Sequence, residues 1–224
     1  VTKLRFTLFT GLWVLCASGC ASVDSLPKEP LVDSGAIAVV FDAGNSLQLK
    51  KVGVTQISYQ DRLANISKWG LKALLDNYAQ DTLKGAHRFS SVSAFDSYNP
   101  TSVFQRAAIL NKKIDYVLVF RPASKASIDF GTLSALHGIG ITQTSTLTGK
   151  HKTIGQVILR ATLYDAKNGK VMLSKEAHDW WLPQFELNDS LKLDQEQINS
   201  IYNNTIPVGK SVVHQLLRQL QLIP

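Results

Sequence analysis

Reactive side chains are few in this chain of 224 residues: five histidines, His87, His137, His151, His178 and His214, and two cysteines, Cys16 and Cys20. A helical metal site needs ligands three or four residues apart, so that they share a face, and no two of these histidines stand that close. They read as isolated core or surface side chains, and no metal or other cofactor is expected. His178 and Asp179 are adjacent, which on a strand sends them to opposite faces, so they make no catalytic pair by themselves. A Gly-x-Ser-x-Gly elbow, a Walker loop and a dinucleotide fingerprint are all absent. The run "HGIGIT" at His137 to Thr142 matches a phosphate-binding loop only superficially. No catalytic residue can be named, and a non-enzymatic protein is expected, with a hydrolase as the less favoured alternative.

The two cysteines lie within "LCASGCAS", Leu15 to Ser22, at the end of an apolar run from Phe6 to Leu15 that follows Lys3 and Arg5. A short basic region followed by about ten mostly apolar residues is the pattern of an export leader, too short for a bilayer span of about 20 residues. Small residues leading into a cysteine, Ala17-Ser18-Gly19-Cys20, resemble the bacterial lipoprotein signal. The resemblance implies cleavage before Cys20, acylation of its thiol and new amino terminus, and anchorage in a membrane. Ala17 departs from the pattern, which usually has Leu, Val or Ile there, so an ordinary small-residue cleavage that leaves Cys20 unacylated stays open. Ala21 stands where an aspartate would retain an enteric lipoprotein in the inner membrane, which implies the periplasmic face of the outer membrane. Loss of residues 1–19 removes Cys16 and with it any disulfide, so the body must be held by its core. It also lowers the formal charge of +7 by two. The remaining bias is too dispersed for nucleic acid, with only pairs such as Lys50-Lys51 and Lys112-Lys113.

Residues 20–35 carry Pro27 and Pro30 in a polar setting and read as a tether, at most about 50 Å long extended and about 20 Å as a coil. Residues 36–224 carry the folding signals. "AIAVVF", Ala36 to Phe41, predicts a strand buried on both faces, and Leu47 to Ser58 alternates loosely as a second. From Asp61 to Gly85 the apolar positions Leu63, Ile66, Leu71, Leu74, Leu75 and Tyr78 predict one helix of about six turns, capped by Asp61. Arg88 to Phe95 predicts a strand, Asn99 to about Asn111 a short helix, and "IDYVLVF", Ile114 to Phe120, a strongly buried strand ended by Pro122. Alternation from Val157 to Tyr164, the Asn168-Gly169 turn and the return at Val171 predict a hairpin. A closing helix runs through Ile198, Ile201, Val212, Val213, Leu216, Leu217 and Leu220, with Pro207 kinking it or starting its second half. This order predicts one α/β domain, a mixed sheet of about five strands packed with two or three helices.

Asp115-Tyr116-Val117-Leu118-Val119 after a helix, then Leu163, Asp165, Asn168, Gly169, Val171 and Ser174 across a hairpin, resemble the domain shared by the TolB amino-terminal region, the curli-secretion lipoprotein and the lipoprotein activators of penicillin-binding proteins. The resemblance spans roughly Ala36 to Leu222 and implies an envelope adaptor or assembly factor. A secretion or pore subunit is the alternative, and the short tether disfavours the activator role. Residues 123–154 have no counterpart in the matched parts. Within them Gly138 to Thr148 alternates as an extended segment, read either as a membrane hairpin of the curli kind or as a soluble loop or added strand. The second is favoured, because Gln143 and Ser145 interrupt an apolar face. Trp180, Trp181 and Phe185 form the candidate partner surface. They would serve either as an exposed binding patch or as cover for the sheet edge, and neighbouring tryptophans on a strand face opposite ways. The implied partners are the membrane, through Cys20, and an envelope protein.

Overall fold

The computed structural model describes residues 34–53, 59–129, 132–145 and 148–224, with only the backbone described within 126–134. The leader, Cys20 and nearly all of the tether lie outside the described residues. In chain order the elements are β1 (Ala36–Phe41), β2 (Ser46–Val52), β3 (Gln60–Asn65), α1 (Leu71–Gly85), β4 (Ser91–Phe95), α2 (Val103–Asn111), β5 (Tyr116–Pro122), β6 (Ser124–Asp129), β7 (Thr132–His137), β8 (Ile139–Ser145), β9 (His151–Asp165), β10 (Val171–Trp181) and α3 (Gln195–Gln219). The class is α/β as expected: a mixed sheet with three helices, but of eight strands rather than about five, with β6 and β7 as a separate two-stranded ribbon.

The organising strand is β9, fifteen residues long. Along one side it pairs with β10 from Gly155 to Tyr164. Its other side is shared end to end, with β8 on its first half and β5 on its second. Two wings extend from these, β8-β2-β3 and β5-β1-β4. β1 lies parallel between β4 and β5 and is buried at all six positions, which accounts for its unbroken apolar sequence. Odd-numbered β9 residues Val157, Leu159, Ala161 and Leu163 face α1 and α3 and join the main core, where Phe41 and Phe120 stack 5.2 Å apart. Even-numbered residues face the other way. There Tyr164 packs with Val117, Val119 and the single buried α2 residue, Ile109.

α3 begins with a full capping box. Asp194 accepts from the Gln197 amide at 2.8 Å, and the Gln197 side chain accepts from the Asp194 amide at 3.1 Å. The helix continues through Pro207, so neither a break nor a restart occurs there. Its Gly209 meets Leu75 of α1. A Cβ at Gly209 would lie 3.0 Å from a leucine methyl, so the missing side chain permits the close approach.

The predicted six-turn helix is overturned in its first half. Asp61 does not cap a helix: it sits on β3, opposite Lys50 of β2, and accepts from Gln48 Nε2 at 3.0 Å. Leu63 fell at helical spacing by coincidence and is 69% exposed on that strand. A 3₁₀ turn at Ser67–Trp69 follows, and Gly70 at φ 68° turns the chain into α1. The second strand ends at Val52, with the rest of its expected span largely outside the described residues. α2 starts at Val103 because Ser102 accepts from the Gln105 amide, while Asn99 to Thr101 form a side-chain-bonded turn.

Gly138 to Thr148 resolves in favour of an added strand as far as it is described. β8 pairs with β2 on one side and β9 on the other, and its residues from Ile139 to Thr144 are buried. Such a strand has no free edge to offer a membrane ribbon. The β6–β7 ribbon leaves the sheet at the junction of β5 and β8. There Ala123 donates to the Ile158 carbonyl and Ile158 to the Gly138 carbonyl. It crosses the even face of β2 and β8, and Gly140 is a glycine for that reason: a Cβ would sit 2.5 Å from the Gln48 carbonyl and 2.7 Å from a Leu136 methyl. The Lys50 ammonium, buried beneath the ribbon, donates to the Ala135 carbonyl and lies 3.5 Å from Asp61.

Candidate functional site

The even face of the sheet has two covers, α2 over β1, β5 and the end of β9, and the β6–β7 ribbon over β2 and β8. Between the ribbon and β10 it stays open. Strand alternation sets the outcome for the three aromatic residues singled out in the sequence. Trp180 pairs with Gln156 on the even face and is 56% exposed. Trp181 pairs with Gly155 on the helix face, where the indole occupies the space a side chain on Gly155 would take, and it is only 7% exposed. Phe185, beyond the strand end, packs against the same core. Of the three residues of the candidate partner surface, Trp180 is exposed, Trp181 buried and Phe185 half-buried. Trp181 is core because β10 offers its odd face to α3, and Phe185 packs half-buried against the same cluster.

Trp180 instead joins Ile154, Gln156 and Leu182 in an open cleft of about 330 Å³, whose polar rim is Lys125 of the ribbon, Lys152 and His178. The floor is largely apolar, and among the described residues the rim carries two lysines and no carboxylate. His178 Nε2 lies 2.5 Å from the Lys125 ammonium. Such a contact needs a lone pair on that nitrogen, hence a neutral imidazole. Consistently, partial burial and then the Lys125 charge hold the His178 pKa below the usual histidine value, against the opposing pull of Asp179. Arg160 and Glu176, paired across β9 and β10 at 2.7 Å, lie two positions further along the same face, outside the cleft lining.

Of the cleft residues the sequence singled out only His178 and Trp180; Lys125, Lys152, Ile154, Gln156 and Leu182 went unmarked. Leu182 follows the aromatic pair and was legible as its continuation. Lys125 lies 53 positions from His178 in sequence, and no local pattern links them. The remaining histidines stay apart from this cleft. His137 Nδ1 contacts Ser124 Oγ at 2.8 Å, and His151 Nδ1 contacts Ser145 Oγ at 2.8 Å, with Glu186 at 3.9 Å from His151. Among the described residues no three His, Cys, Asp or Glu side chains gather as a metal site, and no helix is long and apolar enough to cross a membrane.

No family model matches the chain, and no curated protein matches it. Among solved structures it is similar to the PelC dodecamer of Paraburkholderia phytofirmans, at 15% identity and TM-score 0.42, over 86% of this chain and 91% of that one. It is similar to lipoprotein GNA1162 of Neisseria meningitidis, at 14% identity and TM-score 0.29, over 77% of this chain and 98% of the other. It is also similar to the LpoB C-terminal domain of Salmonella enterica, at 13% identity and TM-score 0.27, over 66% and 84% of the respective chains. All three are distant structural similarities.

Proposed function

We propose that the chain is an envelope lipoprotein, anchored through acyl chains on Cys20 to the periplasmic face of the outer membrane, whose α/β body is a non-enzymatic adaptor. The Trp180 cleft carries the adaptor reading. An exposed tryptophan on an apolar floor is a common anchor of protein interfaces, and a rim of lysines without carboxylates selects acidic neighbours. The occupant that fits is a segment of an envelope protein with an apolar side chain for the floor and an acidic side chain for the rim at Lys125. Among the described residues the outer edge of β10 is unpaired and lies beside the cleft, so an extended segment could add to the sheet while its side chains enter.

Two measurements test the two halves of this reading. Labelled palmitate should enter the full chain and be absent from Cys20→Ala, which should also leave the outer-membrane fraction; incorporation that persists in the variant refutes the anchor. A photoreactive side chain at Leu182 should crosslink one envelope protein, and the product should disappear with Trp180→Ala. Crosslinking unaffected by that substitution refutes the cleft.

A further inference from the structure

α2 buries a single residue, Ile109, and turns the rest of its apolar surface outward. Phe104 is 89% exposed, Val103 65% and Leu110 42%, with Ala107 exposed between them. Val103, Ala107 and Leu110 recur at helical spacing, and Phe104 lies beside them, so they form one continuous stripe. Its surroundings are cationic. From Asn99 to Ile114 the chain has no acid and carries Arg106, Lys112 and Lys113. The β9–β10 turn adds the exposed Lys167 and Lys170 and sits against the start of α2: Arg106 donates to the Asn168 carbonyl at 3.2 Å, and a Cβ on Gly169 would lie 2.9 Å from the Pro100 carbonyl. Two of the nearest acids in sequence are otherwise engaged. Asp115 accepts from the Ala36 amide at 2.8 Å, and Asp165 from Lys167 and Asn168 of its own turn. Asp96 lies within electrostatic reach of Asp76 on α1.

The start of the folded body is at the same place. Gly35 lies against Asp115 and Tyr116, and Asp115 follows the last residue of α2, Asn111, by only four positions. Any chain preceding β1 therefore enters the fold beside the C-terminal end of α2.

We propose that the exposed face of α2 docks on an anionic lipid surface, with Phe104, Val103 and Leu110 entering the interface and Lys112, Lys113, Lys167 and Lys170 meeting lipid phosphates. An apolar stripe flanked by cations is the pattern of helices that lie in the plane of a membrane. A second copy of the chain fits less well, since a two-fold contact through this stripe would bring the same lysines together. The proposal rests on the envelope reading only in that a tether ending at Gly35 would hold α2 near the bilayer; it is independent of the Trp180 cleft.

The test uses the full chain carrying Phe104→Trp, reconstituted into phosphatidylcholine vesicles containing about 30% phosphatidylglycerol, with and without brominated acyl chains. Emission of the unsubstituted chain is subtracted to isolate position 104. Bromination should reduce that emission about twofold, because an interfacial side chain reaches the acyl boundary, and Lys113→Glu with Lys170→Glu should restore it. Emission at position 104 that ignores bromine, in protein that floats with the vesicles or in protein that fails to float, overturns the proposal. So does a larger species in solution that Phe104→Ser splits in half, which would make the stripe a contact between copies. Should palmitate incorporation survive Cys20→Ala, the anchor fails while the quenching still decides the role of α2.

Discussion

Gly155→Ala adds one methyl group at the contact that separates the two tryptophans. The new Cβ would lie 2.6 Å from Trp181 Cδ2 and closer still to Cε2 and Cζ2, where ordinary contact begins near 3.4 Å. The indole must therefore move by roughly the difference or more, against a core that leaves it 7% exposed. Overpacking of this kind costs typically about 1–3 kcal/mol. With a urea dependence of about 2 kcal/mol per molar, a loss of 2 kcal/mol lowers the unfolding midpoint by about 1 M at unchanged slope. The cause is separable from any effect of removing a strand glycine. In a Trp181→Ala background, itself about 3–5 kcal/mol less stable, the added methyl meets no ring. There Gly155→Ala should be neutral or stabilising by about 0.4–1 kcal/mol, through the unfolded chain. The double-mutant cycle then yields a coupling of about 2 kcal/mol. A midpoint that shifts equally in both backgrounds would show that Trp181 does not occupy the Gly155 hollow, and with it would fall the assignment of Trp180 to the open face.

Three other contacts give measurable outcomes. Asp194→Ala removes the side-chain acceptor of the α3 capping box, leaving the backbone amide at 194 free to donate to Gln197, and should cost about 1 kcal/mol, seen as a fall of about 2–4 °C in the melting temperature. Lys50→Ala strips the Ala135 carbonyl and Asp61 of a buried donor; a loss of about 1–3 kcal/mol is expected, with faster amide exchange in β7, and Lys50→Met should recover packing but not the exchange protection. His178, with its pKa lowered in the fold, binds a proton more readily when unfolded. Its contribution to stability is complete above about pH 6.5 and declines as pH falls below that value. His178→Gln should flatten that part of the stability–pH curve, and an unchanged curve would contradict the neutral imidazole beside Lys125.

The strands at the centre of the molecule were legible because burial on both faces leaves little freedom of composition. β1 and β5 are near-continuous apolar runs, and the β9–β10 hairpin announces its turn with Asn168-Gly169. What escaped were elements defined by partners far away in sequence. β3 has the composition of an amphipathic helix start, and its strand conformation is fixed by pairing with β2, which no local period encodes. β8 was legible as extended but not as central, since Thr142, Gln143 and Thr144 look like surface residues. They are buried because the sheet closes around them. Gln143 is fully buried, and its side-chain carbonyl accepts from the Leu187 amide at 2.5 Å.

The candidate site divides along the same line. Strand alternation alone says that Trp180 and Trp181 cannot share a face; only the sheet edge says which one is covered. Among the described residues β10 pairs with β9 alone, and it turns its odd residues toward α3, which makes Trp181 core and leaves Trp180 for the cleft. One cation of the rim, Lys125, arrives by the route hardest to read, the β6–β7 ribbon, whose base is pinned at Ala123 and Gly138 on either side of Ile158. That pin fixes Lys125 over His178, so the charge of the cleft depends on where the ribbon leaves the sheet. A partner that required a different rim charge would call for a different ribbon on the same β9, and the eight-stranded sheet could stay as it is.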